Sequence, residues 1–369
     1  MVVTLNPALD VTHVVDRADW AGVNRPHAVH VRPGGKGVNV ARMLRALGAD
    51  VTLAGLAGGG TGRELLAGLR GAGIRVALTP VAGETRRTFA VVDSARGETA
   101  LFNEPGPRVS QGEYLEFFVR YEKAVGGCAA VVLSGSLPPG LPDDAYASLI
   151  GAAAAVGVPV VLDASGAPLR HGAAAGPALV KPNLAELEAA AGRSLATADG
   201  PDLVAIEHAA RRLVASATRA AGGTAPRRPV AGAGAAGGQE PSPQVDTDAG
   251  HVHWPEHAAV VVSLGPHGLL ALTLEGTWHA SPARPMAGNP TGAGDAVVAA
   301  LAHGLVRRQD WPDRLRHAAA LGAASVAAPA AGEFHAEIYR QHLAEVRVAA
   351  RPAVRRQAAG ESVTRRRGG

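Results

Sequence analysis

The chain has 369 residues, 47% of them hydrophobic and 18% charged, and its formal net charge of +4 hides a basic end: Arg347 to Gly369 carries +6 and the rest −2. That is enough apolar material for one large domain with a small appendage; no apolar run reaches the ~18 residues of a membrane helix, and the start MVVTLNPALD lacks the pattern of a signal peptide. The single cysteine, Cys128, excludes an internal disulfide and fits a reducing, cytoplasmic setting.

In chain order, the apolar runs VVTL (2–5), VTLAGLA (51–57), AVVLSG (130–135), PVVLDA (159–164), ALVK (178–181) and AVVVSLG (259–265) predict strands. Helical spacing predicts helices over 37–48, 61–72, 110–125, 142–156, 184–191, 201–220, 296–307, 313–328 and 335–349. Near-continuous apolar strands alternating with helices predict an α/β fold: a central, mainly parallel sheet with helices on both faces. Two pairs of segments break the alternation with no helix between them: VTHVVD (11–16) with HAVHVR (27–32), and TFAVVD (88–93) with ETALFN (98–103). They alternate apolar with polar, as a half-exposed antiparallel sheet does, and read as a small β lid or as plain edge hairpins. Cys128, just before AAVVLSG, reads as a buried small side chain.

Residues 221–250 hold seven glycines and four prolines, so a flexible surface insertion is expected over 221–257. Its G-x-G-x-x-G, at Gly232, Gly234 and Gly237, has no strand before it and no helix after it, so it fails as a dinucleotide fingerprint. His251, His253 and His257 lack the cysteine or acid pair of a metal site. The segment 347–369 is expected to be a solvated, disordered basic tail, which places the domain at 1–346, with no nucleic-acid or membrane partner.

Two rare residue types carry information. Only Lys36, Lys123 and Lys181 are lysines among the 36 basic residues, and two of them sit in "GGKG" and "VKPN". An ammonium and a guanidinium do different work. The six asparagines, Asn6, Asn24, Asn39, Asn103, Asn183 and Asn289, lie at Gly/Pro-rich junctions, where turns and sites form.

The stretch GNPTGAGDAVVAALAHGL raises the chemical question. Gly292, Ala293 and Gly294 at a helix start expose free N–H groups to an anion such as a phosphate. Asp295 beside them would compete with that anion as a mere cap; it fits a base that takes a proton from an attacking hydroxyl. A structural turn with an acidic first residue remains the alternative. In VKPNLAELE, Asn183 and Glu186 fit a capping box, or face a hydrated Mg²⁺ on nucleotide phosphates, while Lys181 adds a point charge. Gly34, Gly35 and Gly37 surround Lys36 at another helix start, with Asn39 on the same turn; no Walker P-loop pattern occurs. SLGPHG (263–268) and SGSLPPG (134–140) are strand-end loops, and ligands of open α/β sheets bind outside such ends.

Together these residues resemble the PfkB (ribokinase-like) carbohydrate kinases, and within them the 1-phosphofructokinase and tagatose-6-phosphate kinase subgroup. The matching segments are TLNPALDVT, GGKGVNVAR, TRRTF, FNEPGP, LSGSLPPG, LVKPNLAELE, VVSLGPHG and NPTGAGDA, in the family's order over roughly residues 1–330. The resemblance implies a ribokinase-like fold with a β lid over the sugar. It implies Asp295 as catalytic base and Gly292, Ala293 and Gly294 as the anion hole. Asp10, Gly34, Gly35 and Asn39 match sugar-holding positions, with Ser136 in a neighbouring loop. Lys181, Asn183, Ser263, Gly265 and Gly268 match the nucleotide region, and Glu186 the Mg²⁺ region, through water. Arg25, Lys36 and Arg86 are candidates for the phosphate already on the substrate. The expected reaction is transfer of the γ-phosphoryl group of ATP to a ketohexose phosphate, fructose 1-phosphate first. Tagatose 6-phosphate, fructose 6-phosphate and a non-catalytic sugar-phosphate sensor are the alternatives. A Rossmann dehydrogenase would need a glycine fingerprint where NPALD stands. The exposed edges of a lid sheet make it the expected place for a homodimer.

Overall fold

The computed structural model describes residues 1–220 and 258–352, apart from 283, 285 and 329. The segment 221–257, with its glycine fingerprint and three histidines, and residues 353–369 lie outside the described residues. The first part of the chain runs through β1 (Val2–Thr4), β2 (Ala8–Val15), β3 (Ala28–Gly34), α1 (Lys36–Ala46), β4 (Thr52–Gly58), α2 (Gly59–Gly71), β5 (Arg75–Val81), β6 (Arg86–Asp93) and β7 (Glu98–Asn103). It continues through α3 (Gln111–Val125), β8 (Val131–Ser134), α4 (Ala145–Ala154), β9 (Val160–Asp163), α5 (Gly166–Ala174), β10 (Leu179–Val180), α6 (Leu184–Ala191), β11 (Ala196–Thr197), β12 (Gly200–Pro201) and α7 (Leu203–Ala220). The last part holds β13 (Ala259–Ser263), β14 (Leu269–Thr273), β15 (Gly276–Ser281), α8 (Ala293–Val306), α9 (Trp311–Val326), α10 (Ala336–Glu345) and β16 (Arg347–Arg351).

The main sheet has ten strands in the order β16-β15-β14-β13-β10-β9-β8-β1-β4-β5. From β5 to β13 every pairing is parallel; β14, β15 and β16 extend the sheet antiparallel. Alternation along the strands divides the core. Val3, Leu133 and Leu162 face the layer of α3 to α7, while Val2, Val132 and Val161 face α1, α2, α8 and α9. The first layer holds the aromatics. Tyr114 and Tyr121 of α3 are buried and donate their hydroxyls to the Ala145 and Leu149 carbonyls, which stitches α3 to α4. Burying one such side chain, Phe117 for example, contributes about 1.5–3 kcal/mol. The second layer is built from small residues: Ala296, Ala299 and Ala300 of α8 pack with Ala318 and Ala319 of α9, so the two helices approach closely.

The lid is a separate four-stranded sheet with the order β3-β2-β6-β7. The two predicted hairpins join through a parallel β2–β6 pairing, with Asp10 opposite both Arg32 and Thr88. Residues of one parity, Asp10 and Thr12 on β2 and Arg86, Thr88 and Ala90 on β6, line a cleft beneath it.

The predicted elements are found within a few residues, with three differences. Helix α8 starts at Ala293 rather than 296, so Gly292 is its N-cap. The domain boundary drawn at 346 is too early: Arg347–Arg351 is the edge strand β16, in register with Ser281 to Thr277. Val348 packs partly against the core from that strand while Arg347 stays exposed, the arrangement of a protected edge. Strands β5, β11, β12, β14, β15 and β16 and helix α5 were not anticipated, and the helix expected over 335–349 ends at Glu345 and gives way to β16; α5 and β5 are too mixed in composition to show a clear period. Cys128 is half-buried against the core rather than fully enclosed. Among the described residues no helix is long and apolar enough to cross a membrane.

Candidate active site

A cleft of about 1980 Å³ runs between the lid and the carboxyl ends of the parallel strands. Asn6 after β1, Ser136 after β8, Asp163 ending β9, Lys181 after β10 and Ser263 ending β13 all line it. Main-chain bonds set the last of these ends in register: Lys181 N–H donates to Leu162, and Ser263 N–H to Pro182.

The start of α8 forms one wall. Gly292 has φ 89°, a conformation that side chains resist, and a Cβ there would stand 2.8 Å from Ala331 Cβ. Gly294 is different. A Cβ there would meet nothing closer than Lys181 Nζ at 3.6 Å, so the protein's own packing does not require glycine. Its bareness leaves the cleft open at the helix end, where N–H groups and the helix dipole favour an anion. No side chain caps this helix.

Asp295, in the first turn, is buried, and one oxygen accepts a 2.8 Å hydrogen bond from the Asn39 amide. Burial pushes its carboxyl up and the nearby Asp163 adds to the rise; Asn39, Lys36 and Lys181 oppose it, and the result is about 7. A base with that value takes a proton efficiently near neutral pH.

Asp163 organises the floor. Lys181 Nζ lies 3.2 Å from its Oδ1, Lys36 Nζ 3.7 Å from its Oδ2, and the Ser134 hydroxyl donates to the same Oδ2 at 3.1 Å. Burial opposes its charge, but the two ammonium groups and the hydroxyl overcome burial and hold the carboxyl below its usual range. Asn183 and Glu186 make the capping box: Glu186 N–H donates to Asn183 Oδ1 at 2.8 Å, and Asn183 N–H to Glu186 Oε2 at 2.9 Å. The other Glu186 oxygen faces Lys36 Nζ at 3.3 Å. The capping-box reading is the one observed, and of its two residues Asn183 lines the cleft. Lys36, expected near the substrate's phosphate, is committed to this carboxylate cluster instead; Asp163 raises its pKa above the ordinary value, against burial and with help from Glu186.

The opposite end, under the lid, holds Asp10. Burial raises its pKa, countered by Arg32, Thr88 and Arg86. A side chain on Gly34 would place its Cβ 1.9 Å from the Asp10 carboxylate, so the carboxylate keeps this position only beside a glycine. Gly35 lines the cleft at φ 93° and caps α1. Arg86 lines the cleft and donates from Nε to the Asn6 carbonyl at 3.1 Å. Asn6 in turn donates to Ser136 Oγ at 3.2 Å. Arg25 is not in this group. The β2–β3 hairpin carries it to the exposed loop beyond the Val14–Ala28 pairing, away from the cleft of its own chain. At the third corner Ser263, Gly265 and Gly268 line the cleft, and a Cβ on Gly268 would stand 1.9 Å from the Ala280 carbonyl.

Asp163, Arg32 and Thr88 also line the cleft without having been singled out in the sequence, and Asn103 lines it although it was noted only as one of the rare asparagines. Asp163 carried a signal, an acid closing an otherwise apolar strand, PVVLDA. Rarity was the better guide: five of the six asparagines, all but Asn24, line the cleft, as do Lys36 and Lys181.

Comparison with known proteins decides the family. The chain matches the pfkB family carbohydrate kinases over residues 4–220 and 238–337. It belongs to that family. It is an ATP-dependent carbohydrate kinase with a ribokinase-like fold. A 1-phosphofructokinase of Xanthomonas campestris pv. campestris is 34% identical over 310 residues, 83% of this chain and 84% of that one. An ATP-dependent 6-phosphofructokinase isozyme 2 of Mycobacterium tuberculosis is 32% identical over 329 residues, 89% of this chain and 84% of that one. Phosphofructokinase-2 from Escherichia coli, solved with substrates and products, superimposes with a TM-score of 0.73 at 28% identity, covering 93% of this chain and 97% of that one. A possible 1-phosphofructokinase of Thermotoga maritima shares the fold, with a TM-score of 0.75 at 24% identity, over 95% of this chain and 99% of that one. The family match skips 221–237, inside the expected insertion, and stops before β16.

Proposed function

We propose that this kinase phosphorylates a ketohexose phosphate, fructose 1-phosphate at its 6-hydroxyl, and that Asp295 is the base. One observation carries the reading: a carboxylate poised near neutral pH shares its helix end with an uncapped, anion-attracting turn, in the same cleft as Asp10 and Arg86. The sugar's hydroxyls lie against Asp10, Asn39 and Ser136, with Gly34 and Gly35 giving room. Arg86 takes the phosphate already on the sugar, since a guanidinium suits bidentate contact with phosphate. The attacking hydroxyl gives its proton to the Asp295 carboxylate as its oxygen closes on the γ-phosphorus. The N–H groups at Gly292, Ala293 and Gly294 neutralise the charge that develops on the phosphoryl oxygens. The released ADP stays between Lys181, Asn183 and the turn of Ser263, Gly265 and Gly268. Lys36, redirected to the carboxylate cluster, adds positive charge at that end rather than at the sugar's phosphate.

Mg²⁺ fits here as an ion bound through water. Glu186 and Asp163 supply hard oxygen donors, yet their oxygens are already shared with backbone N–H and ammonium groups, and no group of three acids or histidines forms a cage among the described residues. When bound, the ion would neutralise phosphate charge. Its holders, through water, would be Glu186 and Asp163, with Asn183 beside Glu186 at the same helix end.

We further infer that the domain is cytoplasmic and pairs through the lid, where Trp20, Val23, Val29, Val31 and Phe102 are exposed. Arg25, on the same lid, contributes to a site only if such pairing carries it to the partner's cleft. A non-catalytic sensor is disfavoured because Asp295, Lys181 and Glu186 are all in place. The test is ADP release with ATP and Mg²⁺ over fructose 1-phosphate, fructose 6-phosphate and tagatose 6-phosphate. Preference for the first supports the proposal; turnover of none of them removes it.

A further inference from the structure

Arg32 lies on lid strand β3, opposite Asp10 in the ladder. Its guanidinium reaches off the lid. Nη2 donates to the Ala331 carbonyl at 2.8 Å, and Nη1 lies 3.4 Å from Glu333 Oε1. Ala331 to Glu333 form the connection between α9 and α10, and they touch the catalytic wall twice. Ala331 packs on the Gly292 turn, where a Cβ would come within 2.8 Å of its own Cβ. Gly332 packs on Asn39, where a Cβ would stand 3.0 Å from Oδ1 of the amide that holds Asp295. Three consecutive residues therefore contact the lid, the anion-binding turn and the side chain that orients the base.

We propose that Arg32 is a positioning residue that couples seating of the lid to the geometry of the Gly292 turn and Asp295. This rests on the kinase reading above. A guanidinium suits such a bridge because it is rigid, always charged, and offers a fork of donors that serves a carbonyl and a carboxylate at once. The arginine side chain is about a quarter exposed and the Glu333 carboxylate about half, so solvent screens the ion pair and the bond to the Ala331 carbonyl is the firmer half of the bridge. Coupling matters for the chemistry. A γ-phosphoryl group at an anion hole with the lid unseated is open to water, giving ADP and inorganic phosphate, whereas a seated lid leaves the sugar hydroxyl as the attacking group.

The test compares wild type with Arg32→Met, which removes charge and donors, and Arg32→Lys, which keeps the charge but cannot span both acceptors. Three quantities are read: kcat and KM for the sugar phosphate, ADP formed per sugar phosphorylated, and backbone amide exchange over residues 331–333 and 292–295. In Arg32→Met we expect kcat to fall and the ratio of ADP to product to rise, each about 10-fold, with faster exchange in both segments. Arg32→Lys should recover part of kcat while the ratio stays raised, with KM near wild type in both variants. A higher KM with unchanged kcat and ratio would make Arg32 a plain substrate contact and overturn the proposal. So would unchanged exchange at 292–295. If wild type phosphorylates none of the sugars, the functional reading fails, and the exchange measurement still decides the coupling.

Discussion

Asn39 and Asp295 stand 256 positions apart in the chain and meet through a 2.8 Å hydrogen bond from the asparagine amide to the carboxylate. The bond holds one carboxylate oxygen. It also opposes the rise that burial and Asp163 impose on the acid. The Asp295 carboxylate is thus oriented, and its rise restrained, by a residue from the other end of the domain.

The pH dependence follows from that balance. Asp295 must be ionised to accept a proton, so kcat/KM for the sugar should climb as pH rises to about 7 and level off above it. Asp295→Asn should lower kcat by about 10²-fold or more while ATP binding persists. Stability moves the other way. The folded carboxyl holds its proton to about 7 against an ordinary value of 3.8, so stability present at low pH is lost as pH rises through that window. Thermal melts should therefore show the asparagine variant more stable than wild type at about pH 8, with the gap closing toward about pH 4.

Lys181 is buried against a buried acid, and its removal should be felt in folding as well as in catalysis. Lys181→Met leaves Asp163 with only Lys36 and Ser134 to compensate its charge. Breaking a buried pair from one side costs about 3–5 kcal/mol, and the remaining ammonium puts this case at the lower end. Urea unfolding would measure it. A cost under about 1 kcal/mol would mean that Lys36 alone suffices.

Gly34 offers a test confined to the sugar end. The added methyl of Gly34→Ala collides with the Asp10 carboxylate and must turn it away. KM for the sugar phosphate should rise about 10-fold or more while KM for ATP stays near wild type. Equal changes in both would contradict the separation of the two ends of the cleft.

The carboxyl-terminal strand can be tested by truncation. Val346 is buried and β16 pairs along β15, so ending the chain after Glu345 should lower the thermal midpoint by several degrees and leave β15 as an open edge. A chain ending after Pro352, which keeps β16, should melt above the one ending after Glu345. Equal midpoints for the two truncations would show that β16 adds no stability.

Much of the site was legible because its residues are of rare types in distinctive local settings. Lys36 and Lys181 stood out in an arginine-rich chain, and Asn39 and Asn183 at glycine or proline junctions. Helix α6 was read with its true limits because its asparagine cap and glycine stop are local signals. Arg32 was missed because nothing in HAVHVR separates an arginine that reaches across the cleft from one in solvent. Arg25 lies outside its own chain's cleft because the β2–β3 hairpin carries it to an exposed loop, a distance that no local sequence signal gives.

The sequence alone determined the alternation of strands and helices, the four segments of the small second sheet, and several of the residue types that line the cleft. Those properties are written in period, capping and composition, which act over a few residues. Tertiary structure alone decided that Asp163 gathers two lysines, that Asn39 reaches Asp295, and that residues 347–351 form the edge strand of the main sheet. Each depends on which strand ends lie side by side and on how far burial shifts a charge, and both arise only when distant parts of the chain are packed together.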